Sequence, residues 1–241
     1  IGFPLTILNG AVASVLKESN KILEKEISGG KGIEESLFAL SKKWILSSKQ
    51  TVFNGDNYSD DWVQEAKSRG LPNLRTTSDA LDVLGNKKEV SFLEDMGIYS
   101  SIELEMRQNV LVERYNTCRE IEFETLLGLV FEHVIPSAIN YKEVLSTLIL
   151  NEREIGMEPL VETEILGDIS DALANLYSRA KSLKQEIEGL NHDEPVEVSK
   201  IIANDLMGIS EEIAEYCNSI EGLVPDNLWT LPKYFDLLYI K

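Results

Sequence analysis

The sequence predicts an all-α protein, a multi-helix array with a long antiparallel helical hairpin near its C-terminus. Three observations carry that prediction. Only 7 Pro and 15 Gly interrupt 241 residues, so long regular elements are possible. Between the breaks Lys, Glu, Leu, Ile and Ala dominate, and most of these lose little on entering a helix. Apolar residues recur at spacings of three and four along most of the chain, and no run reads as a strand.

The elements follow in order. Pro4 suits a first helical turn, and Leu5, Leu8, Val12, Val15, Leu16, Ile22, Leu23 and Ile27 recur at helical spacing until Gly29-Gly30-Lys31-Gly32. A second helix is expected from Ile33 to Thr51. After the turn signal Asn54-Gly55-Asp56, Ser59 is a plausible N-cap, with Asp60 and Asp61 complementing the dipole of the first turn. That helix should stop near Gly70, ahead of Pro72. Short helices are expected at Ser78–Leu84 and Lys87–Met96, closed by Gly97. The longest pattern begins near Ser100 or Ser101 and runs through Val130, where Pro136 must restart or kink the path. A further helix carries on to Ile155. The hairpin, at about 162–223, pairs the series Ile165 to Leu190 with the series Val198 to Leu223. Its loop, near Gly189 to Pro195, is too short for a parallel return.

Composition narrows the function. The net charge of -18 at pH 7 repels phosphate backbones and anionic lipid. No clustered basic stripe offsets it, since Lys42-Lys43 and Lys87-Lys88 are isolated pairs, so neither nucleic acid nor a membrane is an expected partner. No apolar run reaches the roughly 18 residues of a membrane span, and no segment reads as a signal peptide. Cys118 and Cys217 read as two buried thiols in a reducing compartment. The opening Ile1-Gly2-Phe3-Pro4 reads like a cut from the middle of a longer protein, and Tyr239-Ile240-Lys241 like a natural terminus.

Each candidate for chemistry meets a simpler explanation. Gly29-Gly30-Lys31-Gly32 lacks the earlier Gly, the Ser/Thr and the preceding strand of a phosphate loop, and reads as a turn. Asp56 to Asp61 fails the EF-hand pattern, with Asp61 at its sixth place and Lys67 at its twelfth. His133 and His192 have no ligands at metal spacing. Glu103 and Glu105, and Glu120, Glu122 and Glu124, lie two apart, point to different faces of a helix and read as solvated. Trp229, Tyr234, Phe235 and Tyr239 read as an aromatic anchor packed on a core or a neighbouring subunit rather than as a ligand wall.

Four stretches resemble type III glutamine synthetases. They are Phe3-Pro4-Leu5-Thr6-Ile7-Leu8-Asn9; Val52-Phe53-Asn54-Gly55-Asp56-Asn57-Tyr58-Ser59 with Trp62; Arg69-Gly70-Leu71-Pro72-Asn73-Leu74 with Thr76 to Leu81; and Glu221-Gly222-Leu223-Val224-Pro225-Asp226-Asn227-Leu228-Trp229, continuing through Leu231-Pro232 and Tyr234 to Lys241. Thr230 stands where that family usually has Pro. The resemblance implies a parent enzyme that makes glutamine from glutamate, ammonia and ATP with Mg2+ or Mn2+. The family's catalytic and metal-binding residues lie upstream of Phe3 in its pattern. No catalytic, cofactor-binding or metal residue therefore falls on this sequence, and the fragment itself holds no cofactor. The implied organisation is a C-terminal helical part of the catalytic domain at 1–125 and a type-specific helical extension at 126–241. The implied partners are the rest of the parent chain and other subunits of a ring-based homo-oligomer, a dodecamer in the family, in the cytoplasm. The residues alone also fit a second reading, a free-standing helical adaptor that binds partner helices through its hairpin.

Overall fold

Helix formation follows the apolar periodicity from Gly2 onward. The computed structural model describes residues 2–238; Ile1, Tyr239, Ile240 and Lys241 lie outside the described residues, as do the side chains of Tyr234 and Phe235. Of the chain ends read from the sequence, Ile1 and Tyr239 to Lys241 fall there, and Gly2, Phe3 and Pro4 do not. The described residues hold no strand, and none of their helices is long and apolar enough to cross a membrane. The chain divides into two compact units, Ile1–Leu111 and Val112–Lys241.

In the first unit α1 (Gly2–Ser28) turns through Gly30, at φ 92°, into α2 (Ile33–Ser48). The expected end at Thr51 comes as a 3-10 turn, Lys49–Thr51. The Trp44 indole N–H donates to Ser19 Oγ at 3.0 Å and fixes α2 on α1. Then come α3 (Asp60–Ser68), α4 (Thr77–Asp82) and α5 (Lys87–Asp95). Their starts are set by side-chain caps that satisfy backbone N–H groups with no partner inside the helix. Ser59 Oγ accepts from the Trp62 N–H at 3.4 Å and Thr76 Oγ1 from that of Asp79 at 3.0 Å, while Asn86 Oδ1 accepts from the Lys88 N–H at 3.1 Å. The Thr76 cap starts α4 one residue ahead of the expected Ser78.

The core of this unit is small: Leu84, Val90, Leu93 and Leu104, with Phe3, Ile7, Ile98 and Tyr99 against them. Gly10 lets α1 approach α5, because a Cβ there would stand 2.7 Å from Ile98 Cδ1. Phe3, Ile7 and Gly10 thus form the packed face of α1. Leu5, Leu8, Val12, Val15 and Leu16, prominent in the sequence pattern, are exposed.

The long helix α6 (Ser101–Leu129) gives its first residues to the first unit and the rest to the second. It passes through a π turn, Val130–Val134, into α7 (Ile135–Glu154). Pro136 cannot donate to the carbonyl four residues back, and its ring crowds that turn. The wider turn accommodates it, and the Ile135 N–H bonds Val130 O, five residues back. The expected restart at Pro136 is therefore a continuous helical path.

Next come α8 (Leu160–Glu188), a short loop, α9 (Pro195–Ile201), a second π turn (Ile202–Leu206) and α10 (Met207–Leu223). These form the expected hairpin. Arg179 of α8 pairs with Glu212 of α10 at 2.6 Å, at similar separations from Pro195, as antiparallel arms require. Ile169, Leu176, Ala180 and Leu183 of α8 are wholly buried with Ile202, Leu206, Ile213 and Ile220 of the return arm. Asn116 Nδ2 donates to Pro195 O at 2.8 Å and holds the loop end of the hairpin to α6. The tail ends in α11 (Tyr234–Leu237).

Truncating Leu176, at the centre of this seam, to Ala should cost about 2–5 kcal/mol of unfolding free energy. Leu8→Ala, at an exposed site, should change it by no more than about 0.5 kcal/mol. Urea titration of the helical signal checks both.

Candidate functional site

Several groups that the sequence offers for chemistry are engaged locally. Gly30 takes the left-handed conformation that ends α1, and the Lys31 ammonium pairs with Glu26 at 3.1 Å. The Asp56 carboxylate accepts the Tyr58 N–H at 2.9 Å, closing a turn, while Asp60 and Asp61 occupy the first turn of α3. Among the described residues no group of three or more His, Cys, Asp and Glu is placed to hold a metal ion.

The glutamates of α6 diverge as their spacing requires. Glu120 lies 3.8 Å from His192, and Glu122 pairs with Arg119 at 2.5 Å. Glu124 borders a groove of about 310 Å3 floored by Leu127, Phe131 and Ile187. The only cation lining it, Lys184, lies 4.0 Å from Glu188. Glu103 is solvent-exposed as expected and has a local role besides. The Ser100 N–H and hydroxyl donate to its Oε2 at 2.8 and 2.9 Å, a capping box that starts α6. Its carboxyl is held below the usual range by the Ser100 backbone and hydroxyl, with a smaller contribution from the Arg107 cation. Ser100-Ser101-Ile102-Glu103 carried that signal in the sequence.

A second groove, of about 350 Å3, is lined by Phe3, Glu103, Met106, Arg107, Val110 and Leu111. Arg107 lies 4.5 Å from the Tyr99 ring and 5.3 Å from that of Phe3. Its guanidinium is drawn onto aromatic faces, and no second cation lines the groove to help it clasp a phosphate.

The loop before α3 is ordered more tightly than the sequence suggests. Phe53 stacks on Trp62 at 4.5 Å between centroids, and Arg69 lies 5.6 Å from the Trp62 ring. Arg69 also donates to Gln50 O at 3.1 Å and Val52 O at 2.7 Å, and pairs with Glu65. These residues build and order the loop.

In the tail, Trp229 is buried in the core of the second unit, an anchor within its own chain. Thr230 Oγ1 lies 2.9 Å from His133 Nδ1, so the hydroxyl at this position ties the tail to the π turn. Lys233 Nζ donates to Val224 O and pairs with Asp226, both at 2.8 Å. The remaining aromatic side chains of the expected anchor, Tyr234, Phe235 and Tyr239, are outside the described residues.

The two thiols differ. Cys118 is exposed, against the expectation of burial, and Cys217 is half-buried. Burial, and then the negative charge of Glu221, push the Cys217 thiol up to about 11.

Caps, seams and grooves of an all-α fold are what the described residues offer, and comparison with known proteins shows what the chain is similar to. Residues 36–153 match the family described as Glutamine synthetase C-terminal domain. The chain is 28% identical over 254 residues to the Type-3 glutamine synthetase of Dictyostelium discoideum, covering 100% of this chain and 34% of that protein. It is 28% identical over 241 residues to a Glutamine synthetase of Bacteroides fragilis (strain YCH46), covering 97% of this chain and 33% of the relative. A Glutamine synthetase of Butyrivibrio fibrisolvens is 24% identical over 87% of this chain and 30% of its own length. The chain is thus similar to the C-terminal region of the glutamine synthetases, type-3 among them. It spans about a third of the length of these curated relatives.

Iodoacetamide at pH 8.5 should alkylate Cys118 well before Cys217, because only the thiolate reacts and the Cys217 thiol stays protonated there. Peptide mass mapping over a time course checks the order; equal rates would contradict it.

Proposed function

We propose that this chain is the noncatalytic C-terminal region of an ATP-dependent glutamate–ammonia ligase, serving fold completion and oligomer contacts. Residues 1–125 complete the helical layer of the catalytic domain. Residues 126–241 form a type-specific extension. ATP, the divalent metal and the groups that bind them belong to the parent enzyme, a ring-forming homo-oligomer of the cytoplasm.

The observation that carries this reading is the face of α1. Leu8 is 60% and Leu16 64% exposed, and Leu5, Val12 and Val15 lie open beside them. A contiguous apolar patch of more than a few hundred Å2 is rarely left in water. A catalytic sheet lying on α1 would cover it. The activity assignment is supported by the likeness to glutamine synthetases along the whole chain. It agrees with the dispersal of the carboxylates, because glutamine formation needs metal-binding and phosphate-binding groups converging on one site.

The isolated chain should form no glutamine from glutamate, ammonia, ATP and magnesium; steady turnover by purified material would sink the assignment. A second measurement addresses the face. The isolated chain should self-associate despite its charge of -18. Replacing Leu8, Val12 and Val15 together with Gln should weaken that association while circular dichroism shows the Glu162–Leu223 hairpin intact. Sedimentation showing wild type and triple variant as identical monomers would instead favour the free-standing adaptor.

A further inference from the structure

Two exposed surfaces of this chain are apolar in shape and opposite in charge. The first is the outer face of α2. Phe38 is 74% and Ile45 70% exposed, and Leu46 is exposed beside them. Lys42 falls on the same arc and Lys49 continues it into the 3-10 turn, since residues four, seven and eleven apart share a helix face. Glu34, four residues before Phe38, shares this arc at the other end of the helix, with Glu35 beside it in the first turn, so the basic part of the face is its C-terminal half.

The second surface is the turn between α7 and α8. Ile155 is 73% and Leu160 72% exposed, with Met157 and Val161 exposed between and beside them. Val144 and Leu148, exposed at the same helical register as Ile155, extend this apolar stripe along α7. The backbone is fixed: Gly156 sits at φ 79° and the Met157 N–H bonds Glu152 O at 2.9 Å, the C-terminal closure that normally tucks such a side chain inward. Here Met157 points to solvent. Glu152, Glu154, Glu158, Glu162 and Glu164 surround the stripe, with Arg153 the one cation among residues 150–164. The wider setting is as acidic: residues 112–241 carry ten Lys and Arg against twenty-five Asp and Glu.

We propose that α2 of one molecule docks on the α7–α8 turn of a second copy of this chain. This rests on the oligomeric reading above and names one of its contacts. A turn meeting a copy of itself would set acid against acid, and α2 meeting α2 in parallel would set Lys42 and Lys49 against their counterparts; two antiparallel α2 helices would match Lys42 and Lys49 with Glu34 and Glu35 but leave the acidic apolar turn uncovered. The crossed pairing brings apolar surface to apolar surface with opposite charges at the rim, an arrangement that steers encounter and fixes register. The two surfaces differ, so the contact is heterologous and repeats once per subunit, in a ring if the rotation closes.

A charge swap tests it. One variant carries Lys42→Glu and Lys49→Glu; the other carries Glu154→Lys and Glu158→Lys. All four sites are exposed, and unchanged helical content verifies that both variants fold. Each variant alone sets like charges against each other at the proposed contact. Mixed, they restore two complementary pairings. Fluorescence energy transfer between labelled chains should show the mixed pair associating at least roughly tenfold more tightly than either variant with itself, with the advantage shrinking as salt rises. Association through α1 contributes equally to all three pairs and cancels in the comparison. Equal affinities in the three pairs would overturn the proposal while leaving the ligase reading to its own assay. A mixed-pair advantage unaffected by salt would overturn the electrostatic pairing.

Discussion

The second unit depends on one buried seam. Ile169, Leu176, Ala180 and Leu183 run down α8 at spacings of seven, four and three, and none retains contact with water. Helix α8 packs on both α7 and α10, so its apolar stripe is covered from two sides. Each enclosed aliphatic side chain contributes on the order of 1.5–3 kcal/mol by removal from water. No isolated helix of this length would have that support, because most helical stability in proteins comes from packing. The surface salt bridges around the seam, such as Arg179 with Glu212, set alignment more than they add stability.

The seam also explains the two π turns. Val130, Val134 and Ala138 are buried at successive spacings of four, and so are Val198, Ile202 and Leu206. In a regular α-helix three residues spaced by four drift around the cylinder and leave the core face. A π turn rotates less per residue and brings them back into line. Pro136 supplies an additional reason in the first case. In the second there is no proline, and the apolar register is the cause that both turns share.

Much of this was legible in the sequence, for reasons that differ by element. The hairpin was readable because its seam repeats over many turns, and α3 because Ser59 and the acids after it mark a start. The π turns were written as runs of four-residue spacing but are easily read as ordinary helix. The capping box at Ser100 and Glu103 was present as a motif, but Glu103 was read with Glu105 only as a solvated acid. The face of α1 was not legible, since apolar residues occupy much of its circumference. Only Gly10, with no room for a Cβ against Ile98, marks which side is packed. The pinning of the Val52–Ser59 loop by Arg69 joins residues seventeen and nineteen positions apart, beyond the reach of periodicity. As for a site, the sequence offered scattered carboxylates, and the fold leaves each with a local partner or a separate face.

The two units therefore solve the same physical problem in opposite ways. The second places its largest aliphatic side chains in one continuous core and carries most of the chain's negative charge outside it. Self-repulsion of that charge is tolerable because the seam holds the helices together. The first has four buried hydrophobic residues in its core cluster, only Leu93 and Leu104 of them fully enclosed, while much of the apolar surface of α1 and α2 lies outside it. Helices that bury so little on one another gain little beyond the entropy lost in ordering them. Their exposed faces are poorly explained as contributions to a free-standing fold. In the reading proposed above they are halves of interfaces, one facing a sheet laid on α1 and the other an acidic apolar surface laid on α2.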